Sequence, residues 1–385
     1  MNDISKSRKS ICIVSSQYFP HIGGVEQYVD NFARELVTLG HKVTIVTSEI
    51  EGAKEHEVEG NLEIIRLPSM PLMGGRFPVL KFNKRLRQWT KKIKTRKYDV
   101  MIVNMRFYLI SLYAVRLAKK MKLRCIMLDH GTSHLNTGGK ITSKMGELFE
   151  HCITWLEKRY VNEFAGVSGA VLDWIKHFHI KSDTVLYNSI NVDEFNRIKA
   201  NTTRNFREEY NIPKDAIVIS FVGRLTIEKG IEELVKAILK INETRNDVFL
   251  LAAGTGYQLE KLTPIINDNI HFLGSLKKED VVAMLQASDI FCLPSVSEGF
   301  PTTVLEATIC DNFVISTYRG GTRELVKNSD YGIILPDNNW EGLCEAIMDV
   351  LDKEEYRHES AKRCKDDIEK NYTGNATAKK FVSML

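Results

Sequence analysis

A short apolar run, Ile290–Leu293, stops at Pro294 and Ser295, and a loop carrying Glu298 and Gly299 leads through Pro301 into the stretch Thr302–Ile309. An apolar run of about four to eight residues bounded by turn formers suits a strand buried on both faces. Pro is favoured at the first position of a helix. The stretch therefore predicts a strand, a loop and a helix, with Pro301 opening the helix. A second such unit lies near the start. Ile11–Val14 predicts a strand, Gly23 and Gly24 a turn, and Val25–Leu39 a helix with Val29, Phe32, Ala33 and Leu36 on one face. Gly40 stops that helix, and Lys42–Thr47 is the next strand. Chains that alternate strand and helix in this way build α/β domains around a parallel sheet. Further strands are expected at 62–67, 99–104, 124–128, 165–168, 216–222, 247–254 and 270–273. Helices are expected at 108–121, 148–164, 278–287, 340–351 and 355–371. At 385 residues the chain is long for one domain and comfortable for two.

Several function classes fall away on composition. No apolar run approaches the roughly 18–20 residues that a membrane-spanning helix needs. The apolar run after the basic start is too short for a signal peptide. The seven cysteines show no C-x-x-C pair and fit free thiols in a reducing cytoplasm. No Asp-x-Asp triplet stands between apolar runs, so no metal is expected. The net charge of +4 is unevenly spread: residues 1–184 carry 29 Lys+Arg against 18 Asp+Glu, and the remainder is acidic. A basic first half and an acidic second half point to domains with different partners.

Candidate site residues gather at strand tips, where ligands meet open parallel sheets. Glu298 follows one strand. Gly299, Phe300, Pro301, Thr302 and Thr303 form the loop and first turn after it, where helix N–H groups can hold a phosphate. Glu306 shares a helical face with Thr302 and Thr303 and can bind ribose hydroxyls. Arg224 and Lys229, in GRLTIEKG after the strand 216–222, can neutralise a diphosphate. His130 ends the strand 124–128. Gly23 and Gly24 let backbone N–H groups approach a phosphate or an acceptor.

These motifs together resemble the retaining glycosyltransferases of family 4, of the bacterial cell-surface polysaccharide type. Glu298 and Glu306 match the family's E-x7-E signature, Arg224 and Lys229 its G-R-x4-K-G pair, and Gly320, Gly321 and Glu324 its GG-x-x-E loop. Pro20, Gly23, Gly24 and Glu26 resemble its P-x-x-GG-x-E entry. Asn188, Asn191 and Phe195 resemble its N-G-V-D-x-x-x-F segment, with Ser189 in place of Gly. Asp311 and Phe313 stand where the family usually has Gly and Pro. Asp tolerates a left-handed backbone, so a local change is expected there and not a lost site.

The resemblance implies the GT-B fold, two Rossmann-like doubly wound α/β domains facing each other across a cleft. Residues 1–184 would form the acceptor-side domain, 185–371 the nucleotide-sugar domain, and 372–385 a C-terminal helix that crosses back to the first. It implies a hexosyltransferase acting on a nucleotide-diphosphate sugar such as a UDP-sugar, with a glycan or lipid-linked acceptor. Glu298 and His130 would contact the sugar, Glu306 the ribose, and Arg224 and Lys229 the departing diphosphate, with no cofactor and no metal. The alternatives on the same fold are a nucleotide-sugar 2-epimerase-like isomerase and an inactive binding protein.

One segment stands apart. Between Glu63 and Asp99 there is no acid, while Lys81, Lys84, Arg85, Arg87, Lys91, Lys92, Lys94, Arg96 and Lys97 are interleaved with Met73, Phe77, Leu80, Phe82, Leu86, Trp89 and Ile93. A basic amphipathic helix behind an apolar Gly/Pro loop predicts docking of residues 70–97 on an anionic membrane surface. That places the protein in the cytoplasm, peripheral at the inner face of the plasma membrane. The competing expectation is a surface helix whose apolar side packs on its own core. No nucleic-acid module accompanies the patch.

Overall fold

Strands that are apolar along their whole length must be covered on both faces, and parallel sheets flanked by helices do this. The computed structural model describes residues 8–385 apart from 22, 73–74, 76 and 135–139. Its chain divides into two units, residues 1–188 with 374–385, and residues 189–373.

In the first unit, β1 (Ser10–Val14), α1 (Gly24–Thr38), β2 (Lys42–Ser48), β3 (His56–Glu59) and β4 (Leu62–Leu67) precede a hairpin of β5 (Ser69–Leu72) and β6 (Phe77–Leu80). Then come α2 (Lys84–Thr95), β7 (Val100–Asn104), α3 (Leu109–Met121), β8 (Arg124–Asp129), α4 (Lys140–Glu157), β9 (Glu163–Gly166) and α5 (Gly169–Ile175). The sheet order is β3-β4-β2-β1-β7-β8-β9. All neighbours are parallel except β3, which pairs antiparallel on the β4 edge. Its polar sequence HEVE carries no apolar alternation, which is why the sequence pattern misses it.

In the second unit, α6 (Val192–Asn201), α7 (Phe206–Glu209), β10 (Ile217–Val222), α8 (Ile231–Asn242), β11 (Val248–Ala253), α9 (Leu259–Leu262) and β12 (Ile270–Gly274) are followed by α10 (Lys278–Gln286), β13 (Ile290–Leu293) and α11 (Thr302–Ile309). The chain continues through β14 (Phe313–Thr317), α12 (Thr322–Leu325), β15 (Ile333–Leu335), α13 (Trp340–Leu351) and α14 (Glu354–Asn371). This sheet is parallel throughout, in the order β12-β11-β10-β13-β14-β15. In both sheets the strand order reverses beside the first strand, between β1 and β7 and between β10 and β13.

Some expected boundaries shift, while other expectations hold. Residues 185–188 stay with the first unit, because Leu186 N–H donates to the Gly166 carbonyl at the end of β9, so the units part at 188/189 and not at 184/185. The last helix, α15 (Gly374–Ser383), belongs to the first unit: Phe381 is fully buried, edge-on to Phe32 of α1. The helix expected at 148–164 is α4, which ends at Glu157. The turn Tyr160 N–H to Glu157 C=O frees the chain to start β9 at Glu163, not at Ala165. Asp311 holds φ +67 just after α11, the left-handed conformation expected of a residue in the place of Gly.

The apolar side of the basic helix packs inward, as the competing expectation has it. Leu86, Trp89 and Ile93 of α2, with Leu80 before them, lie in the core of the first unit, and Phe77 packs against it. Trp89 Nε1 donates to Glu55 at 2.6 Å. Arg85 pairs with Glu49 and Glu55, and Arg96 pairs with Glu63, acids that are distant in sequence. Phe82 remains exposed, as do Met70 and Leu72 of the hairpin. Met73 lies outside the described residues.

Candidate active site

In the second unit, the loops after β10, β13 and β14 pack so closely that only glycine fits at their crossings. Gly230, at φ +72, caps α8. A Cβ there would lie 2.0 Å from the Pro294 carbonyl oxygen, and one on Gly320, at φ +56, 2.1 Å from that of Glu298. Val296 N–H donates to Glu228 C=O at 2.8 Å, and Gly321 N–H to Gly299 C=O at 2.9 Å. The first crossing brings Lys229, in the single turn Ile227–Lys229, to Glu298. Lys229 Nζ stands 2.5 Å from Glu298 Oε1, and Ser295 Oγ donates to the same oxygen at 2.6 Å. Gly320 and Gly321 brace the Glu298 loop from the other side. Arg224, one residue past Gly223 at the β10 tip, is exposed and makes no salt bridge among the described residues.

Pro301 is the extended residue before α11 rather than its first helical residue (φ −76, ψ 105), and it supplies no side-chain cap. The helix therefore starts at Thr302 with uncapped first-turn N–H groups beside the loop of Glu298, which suits an anion. Phe300 is buried with its ring 5.7 Å from that of Tyr372, so its side chain packs in the second unit rather than facing a donor. Glu306 sits one turn into α11, partly buried. Burial pushes its carboxyl up to about 7, against the opposing pull of Lys278.

In the first unit, the tips of β1, β7 and β8 lie side by side. Gly23 precedes α1, and a Cβ there would lie 2.4 Å from Glu26 Oε2, so a side chain would have to displace the Glu26 carboxylate. A side chain on Gly24 would meet open space. Glu26 Oε1 is 2.9 Å from His21 Nδ1. Asn104, the last residue of β7, donates from Nδ2 to Val14 C=O at 3.2 Å, which turns its Oδ1 toward His130 Nε2 at 3.0 Å. That makes Nε2 the donor and leaves Nδ1 as the acceptor. Burial holds His130 down at about 4, so the ring is neutral at pH 7. Its backbone N–H donates to Asp129 Oδ1, and Asp129 Oδ2 accepts from the buried Arg106 at 2.5 Å. Arg106 is flanked by Met105 and Phe107, both in the left-handed region at φ +65 and +63. Strained backbone of this kind clusters at functional sites.

His130, Gly23 and Gly24 thus belong to the first unit, and Arg224, Lys229, Glu298–Thr303 and Glu306 to the second. Each set stands beside the switch point of its sheet, where open α/β sheets receive ligands. Motif spacing did not reveal Ser295, Asn104, Arg106 or Asp129. Their position at strand ends is the one signal that could have found them.

Comparison with known proteins decides the family. Residues 22–194 match the family model described as Glycosyltransferase Family 4, and residues 202–367 the model described as Glycosyl transferases group 1. The chain is a glycosyltransferase-family protein of the GT-B fold. An uncharacterized glycosyltransferase of Methanocaldococcus jannaschii is 24% identical over 388 residues, covering 97% of each chain. The N,N'-diacetylbacillosaminyl-diphospho-undecaprenol alpha-1,3-N-acetylgalactosaminyltransferase of Campylobacter jejuni is 26% identical over 60% of this chain and 61% of its own. The gpi3 subunit of the phosphatidylinositol N-acetylglucosaminyltransferase of Schizosaccharomyces pombe is 26% identical over 91% of this chain and 76% of its own. Among solved structures, sucrose-phosphate synthase from Thermosynechococcus elongatus matches with a TM-score of 0.77 at 18% identity, covering 98% of both chains. Anabaena HepE in complex with UDP-glucose matches at 0.73 and 15% identity, covering 98% of this chain and 100% of its own.

Proposed function

We propose that this GT-B protein transfers a hexose-type sugar from a UDP-sugar, with retention, to a glycan or lipid-linked acceptor in cell-surface polysaccharide synthesis. The observation that carries the reading is the cationic end of the second sheet. Lys229 is held against Glu298, Arg224 stands exposed beside them, and the uncapped start of α11 follows. Two cations and a helix N-terminus suit a leaving diphosphate and stabilise the charge that develops as the sugar–phosphate bond breaks. Glu298 then binds the sugar, Glu306 the ribose, and neutral His130 accepts a sugar hydroxyl at Nδ1. The acceptor attacks on the face from which the diphosphate departs. These charges are the protein's own, so the leaving group needs no metal.

The UDP-glucose complex of HepE supports the donor class. The lipid-linked acceptors named for the Campylobacter and Schizosaccharomyces enzymes support the acceptor class. Among the described residues no helix is long and apolar enough to cross a membrane. We assign the chain to the cytoplasmic face of the plasma membrane, docked through residues 70–97. The test is nucleoside diphosphate release from a panel of nucleotide sugars, with and without a lipid-linked acceptor. Release that rises with acceptor and yields an α-linked product from an α-linked donor is expected. Conversion of the donor to an isomer without acceptor would overturn the assignment.

A further inference from the structure

Four side chains outside the candidate active site converge on one point of the first unit. His134 lies four residues past His130. Glu147 and His151 stand one turn apart on a single face of α4. His177 comes from the turn Lys176–Phe178 that follows α5. One ligating atom of each lies within 4.8 Å of all the others. His151 Nε2 is 3.1 Å from His177 Nε2, and His134 Nε2 is 3.6 Å from Glu147 Oε1. Bonds of about 2.0–2.2 Å around a tetrahedral zinc hold ligand atoms about 3.3–3.5 Å apart, so the cluster closes on one ion with small side-chain movements.

The hydrogen bonding favours a cation at the centre. His134 Nδ1 is bonded to the carboxylate of Glu150, whose side chain is fully buried. With Nδ1 taken by that bond, His134 presents Nε2 to the Glu147 carboxylate and to the other ligating atoms. The two facing nitrogens of His151 and His177 can share only one proton. A hydrogen bond satisfies that pair alone, whereas a metal ion satisfies all four atoms. Glu150 then supplies the carboxylate–histidine–metal relay that fixes a ligand's tautomer and ring. Trp174 stacks on His177 at 5.4 Å and meets His134 edge-on at 4.9 Å. Phe178 packs against all three imidazoles. Imidazole with carboxylate suits zinc better than magnesium or calcium, and four protein ligands leave no open position.

We propose that His134, Glu147, His151 and His177 form a structural zinc site that staples the connection after β8 to α4 and to the turn after α5. It lies among residues of the first unit alone and takes no part in activating the leaving group. The test uses the untagged full chain, stripped with EDTA and titrated with Zn²⁺ or Co²⁺. Expected are one zinc per chain by elemental analysis, a rise in Tm on refilling, and the visible absorption of four-coordinate Co²⁺. Co²⁺ should also quench tryptophan emission, and W174F should remove that quenching. H177A changes an exposed residue, and H151A/H177A should abolish stoichiometric binding. E150Q, which spares the four ligands, should weaken Zn²⁺ by about 10–100-fold. If stripped wild type takes up no zinc from an equimolar solution, or if H151A/H177A binds as the wild type does, the site does not exist.

Discussion

Removing Arg224 and removing Lys229 should differ in one respect. Each loses a cation that meets developing charge, so each alanine variant should turn over about 10²–10³-fold more slowly. Arg224 makes no salt bridge among the described residues, so R224A should keep the wild-type Tm. Lys229 neutralises a Glu298 side chain that is 9% exposed, and leaving that carboxylate without its cation should cost about 1–3 kcal/mol. Steady-state kinetics and thermal melts on both variants check this, and equal melts would show that the pair is not structural. Glu306 sets a pH dependence. Its carboxyl is raised from 4.5 to about 7, so its contribution to stability is present below pH 4.5 and lost as pH rises through 7. Binding runs the other way, because ribose hydroxyls donate to the carboxylate. Donor affinity, read by calorimetry, should climb as pH rises through about 7, and E306Q should flatten the profile. At this scale the charged residues were legible from motif spacing. The Lys229–Glu298 bond was not, because residues 69 apart in sequence meet only where Gly230 lets two loops touch.

Helix α2 shows how an element with a readable pattern takes its meaning from what covers it. Periodicity located the apolar face of Leu86, Trp89 and Ile93 but not its partner, which is the core of the first unit. W89A should therefore destabilise the fold by about 3–5 kcal/mol. The proposed membrane contact would then fall to the β5–β6 hairpin, to Phe82, which is 81% exposed, and to Lys84, Arg87, Lys91 and Lys92, cations that make no salt bridge among the described residues. Co-sedimentation with anionic vesicles should fall steeply toward 1 M salt, where screening shortens to about 3 Å. It should vanish in K84E/R87E/K91E/K92E and weaken in F82S, with activity on a soluble acceptor spared. Wild type that ignores anionic vesicles at low salt would end the membrane reading. The histidine cluster was hidden for a related reason: its ligands come from three separate segments, so no ligand spacing appears in the sequence.

For the molecule as a whole, the chain's last residues complete the first unit. Thr377 Oγ1 donates to Tyr187 C=O at 3.1 Å and Arg124 to Met384 C=O at 2.5 Å, and Phe381 is fully buried. Deleting 374–385 should lower the melting transition of the first unit and leave that of the second in place. Calorimetry that shows both falling together would contradict this. Turnover at 25 °C should survive EDTA, because Arg224 and Lys229 supply the charge at the leaving group. Loss restored by magnesium or manganese would refute metal independence.

By itself the sequence indicated most of the buried strands and several of the helices, though not β14 or α8, and which motif charges stand at strand ends. These follow from local periodicity and turn chemistry, which act over a few residues. Only the tertiary structure decided the partners: β3 on the sheet edge, the α2 face against the core, the tautomer of His130, the buried ring of Phe300, and the meeting of His134, Glu147, His151 and His177. Each depends on contacts between distant segments, whose geometry is set by how the whole sheet and its covering helices pack.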